Sequence, residues 1–406
     1  MQCLVGVLIP CFVVIQLFAK LRREKEKPMN LKFVIFVLVL ILIPFVAQAA
    51  DDGRGAVSFA YDVDFEMYFD NREASRSHFS KSSTLFGARL TPSIGLDMRQ
   101  KGGMQHRVML GVDVMREFAS GDKYKLLNDV SLWYRMKKTV KKTDITLTAG
   151  IFPRNFTEGD WPLSFFSDSL KFYDNNLEGL LVQFHRPAAY FELGCDWLGM
   201  YGDESRERFM IFASGQGRLK PFFTLGYHAY LYHFSCSRKA SGVVDNILLN
   251  PYVKFDLDPV LPLEELSISL NWLQGAQNDR KFIGKYVFPA GFQIDTDIRK
   301  WGAGIRNRFF YGTDMMPYYN SIDASGSKYG NLLYMGDPFY RIHDDGSSGW
   351  GPYDRLEAYW EPKIGPYLNI RIAAVFHFHK KYSGCQQMVT LKFNLDKLLK
   401  RKSSKS

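Results

Sequence analysis

The sequence predicts an all-β fold, an antiparallel transmembrane β-barrel of about 16 strands with short periplasmic turns and long external loops. Three observations predict it. Apolar and polar residues alternate with a period of two through most of the chain, the connections sort into a short and a long class, and aromatic residues gather at segment ends. A period of two sends successive side chains to opposite faces of a strand. In such a barrel the apolar face meets lipid and the polar face lines the lumen.

Alternation begins at Val57, and residues 57–69 place apolar side chains at every odd position. This segment is longer than the roughly five or six residues of an average strand in a globular sheet. We therefore expect Val63, and by the same parity Leu110 and Leu132, to face lipid. Fifteen further segments alternate in the same way, at about 83–98, 107–117, 129–137, 145–151, 177–185, 189–198, 207–216, 221–234, 246–257, 265–275, 286–298, 301–312, 353–361, 366–379 and 385–395.

The connections between these segments are sorted by length. Alternate connections never exceed seven residues, whereas the others include one of forty residues, 313–352. Lipid offers no partners to backbone N–H and C=O groups, so a sheet that crosses a membrane must close on itself. Such barrels have short turns on the periplasmic side, longer loops outside and an even number of strands. The sorted connections therefore favour an outer-membrane barrel over a β-sandwich.

Composition excludes several other classes. The 406 residues are 46% hydrophobic and 23% charged, which excludes a disordered chain. The mean hydropathy of −0.18 is too low for a bundle of membrane-spanning helices. Five cysteines without a C-x-x-C pair indicate neither a disulfide framework nor a zinc module. They are Cys3, Cys11, Cys195, Cys236 and Cys385.

Basic charge is concentrated at the two ends of the chain. The formal net charge is +10, of which residues 1–49 and the tail 396–406 contribute +4 each. Residues 50–395 are therefore nearly neutral, at +2. Net charge reports on nonspecific binding to polyanions, and a neutral body predicts no nucleic-acid partner.

The N-terminal segment predicts export. Residues 29–49 combine a Met start, a lysine, an apolar run and small residues at Ala47 and Ala49, which is the pattern of a signal peptide. A second apolar run precedes it, so we interpret residues 1–28 as a spurious upstream extension, with a membrane anchor as the alternative. The mature barrel is then expected over 50–395, followed by a basic tail over 396–406.

At the level of architecture, this chain resembles the porin-type outer-membrane barrels of Gram-negative bacteria. The features it shares are the signal peptide, the strand number, the sorted loops and a final strand, Met388-Val-Thr-Leu-Lys-Phe-Asn-Leu395. The resemblance implies an outer-membrane location, membrane lipid and the barrel-assembly machinery as partners, and diffusion of small hydrophilic solutes. In that family the last strand usually ends on an aromatic residue, whereas here Asn394, Leu395 and the tail follow Phe393.

The resemblance also implies a constriction, because the third external loop of general porins folds into the lumen. The corresponding loop here is 153–175, which is rich in acidic residues. An acidic loop against lumen-facing arginines would set a transverse field across the narrowest section. The expected pore-lining and constriction residues are Arg89, Arg135, Glu158, Asp160, Arg306, Arg308, Arg355 and Arg371.

Chemistry-bearing motifs are sparse. There is no H-E-x-x-H, G-x-S-x-G or P-loop, so we expect no enzyme, no catalytic residues, no cofactor and no metal site. His377 and His379 share one lumen-facing parity without a third ligand, and His106 has lipid-facing parity near a periplasmic turn. Two alternatives to a channel stay open: a structural or surface-interaction barrel that uses the loop 313–352, and an outer-membrane lipid-modifying enzyme. A homo-oligomer also stays open.

Overall fold

The computed structural model describes residues 56–75, 82–119, 127–258, 261–323, 325–343, 349–380 and 383–397. The predicted upstream extension, the signal peptide and the tail beyond Lys397 lie outside these residues. Within them, strands form a single closed sheet in which every strand pairs antiparallel with its sequence neighbours. β1 pairs with β16 over Asp64–Ser75 and Ser383–Asn394, and this pairing closes the barrel.

The strand number is sixteen in the described chain, as predicted. The strands are β1 Ala56–Ser75, β2 Ser83–Arg99, β3 Gln105–Glu117, β4 Leu127–Val140, β5 Thr143–Pro153, β6 Asn176–Arg186, β7 Ala189–Gly199, β8 Arg208–Lys220, β9 Phe223–Phe234, β10 Val244–Asp256, β11 Glu265–Asp279, β12 Ala290–Lys300, β13 Ala303–Gly312, β14 Gly351–Trp360, β15 Leu368–His379 and β16 Ser383–Asn394. Two short helices lie in external loops, α1 Asp168–Tyr173 and α2 Gly330–Leu333.

The connections keep the predicted sorting by length, with two exceptions. The periplasmic connection between β10 and β11 has eight residues, and the external connection between β15 and β16 has three. The two-residue turn between β12 and β13 has a left-handed backbone, with φ of 54° at Trp301 and 76° at Gly302, as a tight hairpin of this kind requires. None of the helices in the described chain is long and apolar enough to cross a membrane.

The two faces of the sheet have the predicted parity. Outward side chains such as Phe59 and Ile94 are 66% and 55% exposed, because no described part of the chain covers them. Inward neighbours are covered: Asp70 is fully buried and Met109 is 1% exposed. A closed sheet with an apolar exterior is the structure that satisfies every backbone group in lipid. The chain is therefore a multi-pass outer-membrane β-barrel.

The facing of β2 and β3 generates a stability prediction. Leu110 points outward on β3, and Thr91 points inward on β2 and lines the lumenal cavity. We expect Leu110→Arg to lower the free energy of unfolding in lipid vesicles by about 2–4 kcal/mol if it lies near the midplane, because the charge meets hydrocarbon. Thr91→Arg, whose side chain meets water beside Asp64, is the matched control and should change it far less. Equal losses in a urea titration would show that both faces are buried alike.

Candidate functional site

The loop between β5 and β6 folds into the lumen. Its side chains Trp161, Phe165 and Phe166 are 6%, 0% and 4% exposed. Trp161 packs edge-on against Phe212 of β8, with ring centroids 5.7 Å apart, and Phe165 packs against Tyr230 of β9 at 5.2 Å. These aromatic residues have no lipid to enter, so they bury against the aromatic side chains of the lumen wall. The insertion implied by the resemblance to porins is present.

Polar contacts hold this loop at a fixed depth. The Glu192 carboxylate of β7 accepts hydrogen bonds from the backbone N–H groups of Glu158 and Gly159 at 2.8 and 3.0 Å. It also accepts one from the Ser214 hydroxyl at 2.6 Å. At the start of the loop, Arg154 donates to Asp174 at 2.8 Å. Glu192 is completely buried, and these donors replace the water that a buried carboxylate needs.

The longest external loop, 313–350, also enters the lumen over its described residues 313–323 and 325–343. Its residues Tyr329, Tyr334 and Tyr340 are at most 3% exposed. Tyr334 donates to Gln277 of β11 at 2.6 Å, and Tyr340 donates to Gln293 of β12 at 2.7 Å. From the sequence we expected this loop outside, with a role in surface recognition only as an alternative to a channel. Strand periodicity carries no information about the path of a loop, but the loop's tyrosines and methionines indicate burial.

The two inserted loops are bonded to each other. The N–H of Ser167 donates to the carbonyl of Met335 at 2.8 Å, and the N–H of Asp337 donates to the carbonyl of Leu163 at 2.7 Å. Between them, a Cβ on Gly336 would lie 2.2 Å from the carbonyl oxygen of Ser164, so only glycine permits this approach. The loops therefore form one lumenal plug, defined as residues 153–175, 313–323 and 325–343.

A buried ion pair ties the plug to a third loop. Arg206, between β7 and β8, pairs with Asp323, and both side chains are less than a tenth exposed. The guanidinium carbon of Arg206 also lies 4.8 Å from the centroid of the Phe234 ring. Burial by itself would raise the pKa of Asp323, but hydrogen bonds from Ser325 and Arg206 outweigh it and lower the pKa to about 2.

Beneath the plug lies a cavity of about 1300 Å³ that reaches the periplasmic turn 361–367. One side of it is a wall of arginines on β12–β15, hereafter the arginine wall: Arg299, Arg306, Arg308, Arg355 and Arg371. The plug contributes Asp160, Asp168 and Lys171 to the opposite side. Charged groups of both signs therefore line the same cavity.

Acidic side chains hold the arginine wall in place. Glu357 of β14 accepts from Arg355 at 2.5 Å and from Arg371 at 2.7 Å. Arg306 pairs with Asp297, and Arg308 Nε lies 3.7 Å from Asp295. Arg306 and Arg308 are directly opposed to their partners on the adjacent strand β12, where the side chains of an antiparallel sheet come close. Arg355 and Glu357 lie two residues apart on the same face of β14.

The plug faces this wall with carboxylates. Asp168 Oδ2 lies 3.5 Å from Arg355 Nη2. Burial would raise the pKa of Asp160, but the positive charges of Arg308, Lys171 and Arg306 outweigh it and lower the pKa below the usual aspartate value. Asp160 is thus held as a carboxylate across from the arginine wall.

Six of the eight residues expected from the sequence line this cavity: Arg89, Asp160, Arg306, Arg308, Arg355 and Arg371. Arg135 lies outside this cavity and packs against the plug, with its guanidinium carbon 3.6 Å from the centroid of the Phe156 ring. Glu158 reaches the periplasmic end of β6, 2.7 Å from His185 Nδ1. Arg89 is buried against Asp113 at 2.9 Å. Of the expected arginines, only those on β13–β15 therefore belong to the arginine wall.

Several features escaped the sequence analysis. Arg299 and Glu361 line the cavity, but parity alone did not distinguish them from other lumenal charges. The carboxylates of Asp62, Asp64 and Asp396 converge within 4.8 Å of one another, which needs the C-terminal segment to fold back onto β1. The ring nitrogens of His377 bond to Tyr353 and Gln386, each at 2.8 Å. His106 faces outward at the periplasmic end of β3, 2.7 Å from the Tyr134 hydroxyl.

Comparison with known proteins gives two results. Residues 51–234, which contain β1–β9, match a protein-family model described as Lipid A 3'-O-deacylase-type. This match covers less than half of the 406 residues. Among curated proteins, none matches the chain in sequence.

Solved structures with a similar fold include outer-membrane proteins of two organisms. OprD of Pseudomonas aeruginosa is 13% identical, with a TM-score of 0.45, over 83% of this chain and 95% of that chain. OccK7 of the same organism is 12% identical, with a TM-score of 0.38, over 83% and 98%. The loop L8 deletion mutant of OmpT from Vibrio cholerae is 7% identical, with a TM-score of 0.49, over 84% and 99%. The fold assignment rests on the closed strand register of the chain itself.

The family match corrects one expectation. The sequence predicted a protein that is not an enzyme, whereas the family that matches β1–β9 is named for an enzymatic activity. The prediction relied on the absence of contiguous motifs. Catalytic groups carried by separate strands need no such motif, because the fold and not the sequence brings them together.

The Arg206–Asp323 pair generates a pH prediction. Since the pKa of Asp323 falls from about 3.9 in an unfolded chain to about 2, its stabilisation is present above pH ~4 and is lost as the pH falls through ~2. We expect Asp323→Asn to expose the loop 313–350 at neutral pH to a protease added to vesicle-inserted protein. Asp203→Asn breaks a pair whose side chains are both 65% exposed and is the control, with no expected change. Equal cleavage of both variants would contradict a role for the buried pair.

Proposed function

We propose that this barrel is a channel that admits small hydrophilic solutes and sorts them by charge at the plug. The observation that carries the proposal is the position of Asp160 and Asp168 on an inserted loop, across the cavity from Arg306, Arg308 and Arg355. Fixed charges beside a narrow passage act on a solute strongly, because little water is present to screen them. A solute that passes would cross a transverse field between the plug and the arginine wall.

Because its arginines are paired with carboxylates, the arginine wall supports selection of solutes by the orientation of their charges more than by the sign of their net charge. Each wall arginine is anchored to an acidic partner, so the wall keeps its geometry. The remaining guanidinium N–H groups of its partly exposed members can donate to a solute; these are Arg299, Arg306, Arg308 and Arg371. On the other side, Asp160 has no ion-pair partner within 4 Å in the described chain, and its side chain is exposed to the cavity. A dipolar solute would align with its negative group toward the arginines.

The test is the reversal potential of single barrels in a salt gradient. We expect Arg306→Glu/Arg308→Glu to shift the reversal potential toward cation selectivity, and Asp160→Asn/Asp168→Asn to shift it toward anion selectivity. Glu158→Gln is the control. The Glu158 side chain contacts His185 at the periplasmic end of β6, away from the arginine wall, so this variant should leave the reversal potential unchanged. A wild-type barrel without conductance, or two double variants without a shift, would overturn the proposal.

A second function is favoured by the family match. We propose, as that alternative, hydrolysis of an acyl ester of a membrane glycolipid at the outward surface. The outward histidine at the external end is His233 of β9, within the matched residues. It is directly opposed to Asp245 of β10, and its ring lies 4.9 Å from that of Phe209. This position is the external lipid boundary, whereas His106 lies at the periplasmic one.

The alternative is tested by incubating the purified barrel with lipid A and following the lipid by mass spectrometry. Hydrolysis adds water across the ester and releases a free fatty acid, so the lipid loses one acyl chain. We expect His233→Ala to reduce this loss at least tenfold and His106→Ala, the matched outward histidine, to leave it intact. Failure of the wild-type protein to release fatty acid would exclude this function without bearing on conductance.

A further inference from the structure

The outward face of β12–β14 carries a polar strip in the middle of the lipid-facing surface. Thr296 on β12 is directly opposed to Asn307 on β13. Asn307 Nδ2 donates to Asp354 Oδ1 on β14 at 2.7 Å. All three have outward parity, because the lumen-facing positions of these strands are Asp295, Arg306, Arg308 and Arg355. We call these three residues the outward polar strip.

The depth of the strip is set by aromatic residues on either side. Tyr311 and Trp350 lie toward the external end, exposed by 46% and 45%. Trp301 and Trp360 lie at the periplasmic end, exposed by 81% and 49%. Exposed aromatic residues mark the two membrane interfaces of a barrel, so the strip between them lies at the level of the hydrocarbon. A carboxylate that faces lipid at this level is costly.

The strip retains unused hydrogen-bonding capacity. Within the described residues, the bond between Asn307 and Asp354 is the only one its side chains make. The second oxygen of Asp354 can still accept, while the Thr296 hydroxyl and the other amide N–H of Asn307 can still donate. Donors and acceptors are therefore both present, and the strip is complementary to itself.

Two small side chains lie beside the strip. Ala358 of β14 is directly opposed to Ala374 of β15, and Ile305 of β13 is opposed to Ala358 on the other side. Small side chains let two membrane surfaces approach closely, and they make van der Waals packing and hydrogen bonds across the contact effective. The two alanines therefore suit close contact with a second protein surface, whereas contact with lipid does not require small side chains.

We infer that a second copy of this chain docks on the outward face of β12–β15, with the outward polar strip at the centre of the contact. The self-complementary donors and acceptors fit an isologous contact, in which the same patch serves both partners. Docking removes the carboxylate of Asp354 from lipid and supplies donors to its second oxygen. This inference is independent of whether the lumen conducts or the surface hydrolyses lipid.

The experiment compares two alanine-to-tryptophan variants of the full barrel in detergent and in vesicles. Ala358→Trp obstructs the proposed contact, whereas Ala149→Trp places the same bulk on an outward alanine of β5, across the barrel. We expect native mass spectrometry to detect the wild type and Ala149→Trp as oligomers. Ala358→Trp should require at least tenfold more protein to associate, while it keeps the mobility of a folded barrel on unheated gels.

A second variant separates loss of contact from loss of folding. Asp354→Leu suits a lipid-facing position, so it should leave the barrel folded and weaken the oligomer by a similar factor. A wild type that is monomeric at every concentration, or an oligomer that Asp354→Leu leaves intact, would overturn the inference. Equal dissociation by both tryptophan variants would also overturn it.

Discussion

Closure of the sheet is the constraint on which every other feature of this protein depends. In hydrocarbon each backbone N–H and C=O must find a partner within the chain, and only the pairing of β1 with β16 removes the last two strand edges. Closure then divides all strand residues into an outward and an inward set. The outward set must satisfy lipid, and the inward set is free to carry charge.

The lumen that closure creates is wide, and the chain fills part of it with its own loops. Two loops from distant parts of the sequence meet through backbone hydrogen bonds between Ser167 and Met335 and between Asp337 and Leu163. Their aromatic side chains pack on the wall and leave a cavity of about 1300 Å³ toward the periplasmic side. The plug thereby turns a general aqueous lumen into a space with defined chemistry, carboxylates on one side and arginines on the other.

The outward face of the barrel also carries polar residues at positions that should be apolar. His233 with Asp245 at the external boundary, and Asn307 with Asp354 at mid-height, place polar groups where parity calls for apolar ones. Departures from a consistent pattern concentrate at functional or interaction surfaces, because elsewhere they only cost stability. The two surfaces are well separated in the strand order, so catalysis at one and association at the other would not compete.

The sequence by itself determined the barrel, its strand number and the facing of residues such as Leu110 and Arg306. A period of two is a local property of each strand, and it places apolar side chains toward lipid and polar side chains toward the aqueous lumen. It also showed that the loop 153–175 is rich in acidic residues, while its entry into the lumen was implied only by the resemblance to porins. Only the tertiary structure decided that Arg135 and Glu158 lie away from the arginine wall, that the loop residues 313–323 and 325–343 enter the lumen, and that Arg206 meets Asp323. These contacts join residues more than a hundred positions apart or depend on the path of a loop, and no periodic pattern encodes either.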